Sequence, residues 1–163
     1  MFGEPEPDQS IYRARSPEAD TSPAYATVPW TGTSSGSLTV GPTNCTSGTL
    51  TGQAAAIPAG PLNTVTSSTW SGCTGPGPLT PTVSQVGTWT FSGASVTGVS
   101  LHLTGSGCGF TLSGSLSAVY SAAPQTLTLS GSLTTSGVTG VICPLIPISN
   151  GDVYPFGAKY HVT

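Results

Sequence analysis

Few side chains in this sequence can do chemistry, and their spacing decides what that chemistry could be. Ser34 lies in Gly32-Thr33-Ser34-Ser35-Gly36, which has the Gly-x-Ser-x-Gly form of a nucleophile elbow. An elbow works because a strand-to-helix turn exposes the serine beside oxyanion-hole amides. Here a strand pattern follows instead of a helix, so the stretch reads as a loop. His102, His161 and Asp152 are the residues that could serve such a serine as base and orienter. His102 sits between Leu101 and Leu103, and His161 between Tyr160 and Val162, which puts both imidazoles on the outward faces of strands. Asp152 follows Asn150-Gly151, where a carboxylate holds a turn; a weak cation site with backbone carbonyls is its other reading. The chain is therefore expected to have no catalytic residue, metal ligand or cofactor, and not to be an enzyme.

Charge points the same way. Between Thr21 and Gly151 there is no Asp, Glu, Lys or Arg; Glu4, Glu6, Asp8, Arg13, Arg15, Glu18 and Asp20 crowd the start, and only Asp152 and Lys159 lie elsewhere. Proton transfer, phosphate binding and hard-metal binding all need ionisable groups placed close together. With no basic patch, nucleic acid is excluded as a partner. The most apolar run, Val141 to Ile148, is too short to span a membrane and is broken by Pro144 and Pro147.

Cys45, Cys73, Cys108 and Cys143 admit three pairings. Cys45–Cys73 with Cys108–Cys143 is the expected one, because it closes one loop in each half of the body; four reduced, buried thiols are the alternative. Zinc is disfavoured, since no Cys-x-x-Cys pair exists and the histidines are distant in sequence. Trp30, Trp70 and Trp89 could stack on sugars, a recognition that needs no charge. Trp70 lies three residues from Cys73, and Trp89 alternates with Phe91, so both read as core packing. Trp30 remains the candidate stacking residue for a cell-surface glycan.

The elements that must position these groups are strands. Phe110, Leu112, Leu116, Ala118 and Tyr120 share one face, with Thr111, Ser113, Ser115 and Ser117 on the other. Leu127, Leu129 and Leu133 repeat the pattern, as do Tyr154, Phe156, Ala158, Tyr160 and Val162. A period of two marks half-buried strands, and Thr suits their pleated surface. Strands are expected near 36–41, 46–54, 62–70, 79–91, 94–104, 109–120, 125–135, 137–142 and 153–162. The units Thr49-Leu50-Thr51-Gly52, Thr111-Leu112-Ser113-Gly114 and Thr128-Leu129-Ser130-Gly131 echo one another. Short strands at this spacing predict an all-β fold, a single antiparallel β-sandwich or closed β-barrel. A chain of 163 residues can bury roughly 70% of its accessible surface on folding.

Two regions follow from the change in composition. Residues 1–26 form a charged, Pro-rich N-terminal arm whose anchors to an assembly are Phe2, Ile11, Tyr12, Arg13 and Arg15; residues 27–163 form the all-β domain. Soluble β-proteins blunt their edges with Lys, Pro or bulges. The body has one Lys, so its edges must be sealed by closure or covered by partners.

From about residue 30 onward the chain resembles a group of small secreted actinobacterial β-proteins. The resemblance rests on Cys45-Thr46-Ser47-Gly48-Thr49-Leu50-Thr51-Gly52, on Ser67-Ser68-Thr69-Trp70-Ser71-Gly72-Cys73-Thr74-Gly75-Pro76-Gly77, on Cys108 with its alternating strand, and on Cys143 through Gly151-Asp152 to Tyr160. It implies export, two disulfides and an all-β fold, with no established activity and no functional residues to carry over. The arm departs from that pattern: it is acidic and has no apolar core of an export signal, and nothing hydrophobic precedes Ala24-Tyr25-Ala26.

The function expected is structural: a β-domain displayed outside the cell and held to a larger protein assembly by its arm. A virion surface reconciles cystines with the missing signal, as a decoration protein of an actinobacterial phage released by lysis. The alternative is a secreted or cell-envelope protein, glycan-binding, with a misassigned start.

Overall fold

The structure, a computed structural model, describes residues 26–163. Eleven strands form one antiparallel sheet: β1 (Val28–Ser34), β2 (Leu38–Val40), β3 (Thr43–Cys45), β4 (Ser47–Ala54), β5 (Leu62–Ser71), β6 (Thr82–Gln85), β7 (Trp89–Ser92), β8 (Ser95–Gly105), β9 (Cys108–Ala122), β10 (Gln125–Thr139) and β11 (Val153–Val162). Eight of them close a barrel in the order β1-β4-β5-β7-β8-β9-β10-β11, with β11 returning to β1 through Gly32↔Val162, Thr33↔His161 and Ser34↔Tyr160. Of the two expected architectures, the barrel is the one adopted. Closure removes the open edges that the scarcity of charge would otherwise leave exposed.

Alternation fills the barrel as the sequence pattern requires. Leu127, Leu129 and Leu133 point inward with Phe110, Leu112, Leu116, Phe156, Tyr160 and Val162, while Thr and Ser cover the outside. A membrane-spanning barrel carries an apolar band outside instead. No helix among the described residues is long and apolar enough to cross a membrane.

Three strand boundaries differ from expectation. Strand β1 was not foreseen, because Pro29 and two glycine-flanked hydroxyl residues hide its alternation; on its inward face only Trp30 and Gly32 are fully buried. The stretch read as one strand over 79–91 is broken into β6 and β7, which pair successively with the two halves of β8. Gln85 spans the break, its amide Nε2 donating to Val65 O and Gly87 O at 2.9 Å each. Conversely, the two strands expected at 125–135 and 137–142 are one, β10, ending at Thr139. The apolar run after it forms a 3-10 turn, Cys143–Leu145, started by Pro144.

The echoed motif has a structural use. Gly114 and Gly131 sit on the neighbouring strands β9 and β10 with φ of +151° and +152°, values that side chains rarely tolerate. A Cβ on Gly131 would lie 3.1 Å from Leu116 Cδ2, and one on Gly114 would lie 3.4 Å from Leu133 Cδ2. Each glycine bends its strand and leaves the space that the other strand's leucine fills. Such glycine kinks are how a sheet coils enough to close.

Tyr160 is fully buried, and its hydroxyl has no hydrogen-bond partner among the described residues. Burial pushes its pKa well above the ordinary phenol range. A raised folded-state pKa gives stability that is complete below the unfolded phenol's pKa of about 10 and is lost as pH climbs above it. Thermal midpoints should therefore hold from neutral pH to about 10 and then fall steeply. Tyr160→Phe should cost no stability at pH 7, since it removes an unpaired hydroxyl, and should flatten the alkaline limb. An unchanged limb in that variant would place the titration elsewhere.

Candidate functional site

Strand direction gives the barrel two distinct ends. At one end lie the start of β1 at Val28, the connection from Ala54 to Leu62, the paired turns Ser92↔Ser95 and Ala122↔Gln125, and the end of β11 at Val162. At the other lie Ser47↔Ser71, Gly105↔Cys108 and the connection from Thr139 to Val153. Both disulfides, Cys45–Cys73 and Cys108–Cys143, staple this second end. The pairing is the expected one, and it leaves no free cysteine among the described residues.

The residues weighed for nucleophilic catalysis do not meet. Ser34 continues the inward face of β1 and accepts a hydrogen bond from Gly48 N at 2.9 Å. His161 is exposed on the outer face of β11, beside Thr33 rather than Ser34. His102 lies on β8, three strands away from β11 in sheet order, with Nδ1 3.3 Å from Thr111 Oγ1. Asp152 holds its turn: Oδ2 accepts from Ser149 N at 2.9 Å and from the Tyr154 hydroxyl at 3.2 Å. The Tyr154 pKa is raised by burial and then by that neighbouring carboxylate. Among the described residues, no three of His, Cys, Asp and Glu come together as a metal site would need.

The tryptophans are packing residues, and this corrects the stacking expectation for Trp30. Its side chain is 1% exposed, lies edge-on to Phe91 and donates from Nε1 to both Gln53 O and Thr64 O. No face of the indole is open to a sugar. Trp89 is fully buried, and Trp70, half-buried, sets its edge against Phe156 at 6.1 Å between centroids and donates to Ser68 Oγ. Phe2, Ile11, Tyr12, Arg13 and Arg15, the expected assembly anchors, lie outside the described residues.

A concave feature opens at the end of the barrel where β1 begins. It is a cleft of about 540 Å³ lined by Pro61 and Leu62, Phe91, Ala94, Val119 and Tyr120, and Leu127, among others. The Tyr120 hydroxyl donates to Pro58 O at 2.7 Å and so fixes the 55–61 connection as one wall. Tyr120 is the sole ionisable side chain in the lining, and burial raises its pKa. The volume and apolar lining suit binding of an uncharged side chain or molecule, and among the described residues the walls carry no carboxylate, amine, imidazole or thiol. Sequence reasoning missed this cleft because its lining comes from four strands and two of the connections between strands. Only the strand order brings Leu62, Phe91 and Leu127 to one rim.

No protein-family model, curated protein or solved structure matches this chain.

Proposed function

We propose that the protein is a non-catalytic structural or display protein, its barrel exposed outside the cell and its N-terminal arm anchored in a larger assembly such as the surface of an actinobacterial phage. The observation that carries this reading is the polarity of the barrel. The arm joins the domain at the start of β1, while both cystines lie at the far end. A domain tethered at one end presents the other outward, and the outward end is the one reinforced against reduction of its fold to an open chain. The closed eight-stranded wall, faced largely with hydroxyls and without net charge, leaves only the short strands β2, β3 and β6 outside the ring, so little of the wall calls for a partner. The two disulfides fit an oxidising destination outside the cytoplasm.

Deleting residues 1–26 tests the anchor. The truncated chain should keep the barrel's β-sheet circular dichroism and melting temperature, while its copies per purified particle, counted by quantitative mass spectrometry, should drop at least tenfold, about 1.4 kcal/mol of attachment. Incorporation at the full-length level would refute the anchoring role.

A further inference from the structure

The apolar cleft and the arm belong to the same end of the barrel. The cleft is rimmed by Val119, 65% exposed, and β1 opens at the same end with Val28, 40% exposed. An apolar cleft of this kind on an exterior otherwise rich in hydroxyls marks a contact. Its nearest covalently available occupant is the segment preceding the described residues. Within that segment Ile11-Tyr12 pairs a branched and an aromatic side chain, the composition that a rim of Phe91, Tyr120, Pro61 and Leu127 accommodates. The sixteen residues from Tyr12 to Val28 span up to about 50 Å when extended. An eight-stranded barrel is roughly 16 Å across at a strand spacing near 4.8 Å. The tether therefore reaches every point of its own rim. A short tether also gives an effective concentration of about a millimolar, which favours a contact within the chain over one between chains. The charged flanks, Asp8 and Arg13, would stay in water outside a lining that carries no charge to oppose them.

We infer that the cleft seats the Ile11-Tyr12 segment of the same chain. The seat concerns the free protein and does not depend on the anchoring role, so either can fail without the other.

Trypsin reads the seat directly, because Arg13 and Arg15 follow the segment and Lys159 is the only other basic side chain. Ala94→Trp fills the cleft from the turn after β7 without touching the protease sites. At an intrinsic affinity near 0.1 mM the seated state is favoured about tenfold, so native-state cleavage after Arg13 should be about tenfold faster in Ala94→Trp than in the unmodified chain. Independently, the double variant Ile11→Ser/Tyr12→Ser should shift the amide and side-chain resonances of Leu62, Phe91, Ala118 and Leu127 and leave those at the cystine end in place. Light scattering should show a monomer in every case. Equal cleavage rates, with cleft resonances unmoved by the arm variant, would overturn the proposal. So would a concentration-dependent dimer abolished by Ile11→Ser/Tyr12→Ser, which would make the contact one between copies. The same shifts on Phe2→Ser alone would give the seat to another residue.

Discussion

Replacing both cystines, as Cys45→Ala/Cys73→Ala with Cys108→Ala/Cys143→Ala, should leave the chain largely unfolded at 37 °C. The two bridges close loops with sequence separations of 28 and 35 residues, and the loops do not overlap. Chain entropy then gives each bridge about 3.5–4 kcal/mol, roughly 7 kcal/mol together. Domains of this size have about 5–15 kcal/mol in all, so the loss is comparable to the whole. The two bridges should not be equal in practice. Cys108 and Cys143 are both buried and tie the 3-10 turn, with the connection from Thr139 to Val153, back to the first residue of β9. Cys73 is only half-buried, and its neighbourhood has a second fastening: Asn44 and Thr74 exchange backbone hydrogen bonds at 2.8 and 2.9 Å. Urea unfolding of each single-bridge variant should therefore show the larger loss for Cys108–Cys143. Equal melting of all variants with the native chain would mean that the staples contribute nothing.

How much of this was legible in the sequence depends on whether the signal was local. Inward leucines at 127, 129 and 133 announce a strand because the period of two is local, and the structure buries all three. Cystine connectivity was legible because the four cysteines divide between two halves of the chain. Trp30 was not, because its surroundings are assembled by other strands: Gly52 on β4, Thr64 on β5 and Phe91 on β7. The break between β6 and β7 was hidden for a related reason. Val83 and Trp89 both face inward six residues apart, so a period of two runs on through Val86, Gly87 and Thr88 without a change of phase, and the irregularity lies on the partner β8 between Val96 and Val99. The choice between sandwich and barrel turns on whether β1 meets β11, a contact across the full length of the domain. Periodicity along the chain carries no information about that meeting.

Trp30→Ala is the single substitution expected to damage the barrel most, by about 4–5 kcal/mol in urea unfolding. The reason is a defect in the ladder between β4 and β5, whose register shifts between Thr51 and Gly52 and again between Gln53 and Ala54. Where strands slip, backbone carbonyls lose their partners, and a buried unpaired carbonyl costs about 1–3 kcal/mol. The indole N–H answers two of them at once, donating to Gln53 O at 3.1 Å and Thr64 O at 3.0 Å. One side chain of β1 thus joins β4 to β5 at the point where their register shifts. Two glycines make the room: a Cβ on Gly52 would strike Thr64 O and come within 2.9 Å of Trp30 Nε1, and one on Gly32 would lie 3.1 Å from Trp30 Cζ3. Alanine would leave both carbonyls without the donor and an indole-sized void beside Phe91. Trp30→Phe separates the contributions, since it keeps most of the apolar volume but not the N–H, and should cost about 1–3 kcal/mol. Trp70→Ala is the control. That indole is half-buried and its N–H serves only Ser68 on its own strand, so its loss should be the smallest of the three. If Trp30→Ala melted with Trp70→Ala, the indole would be filler, and the register shift would have to be held by the barrel's closure alone.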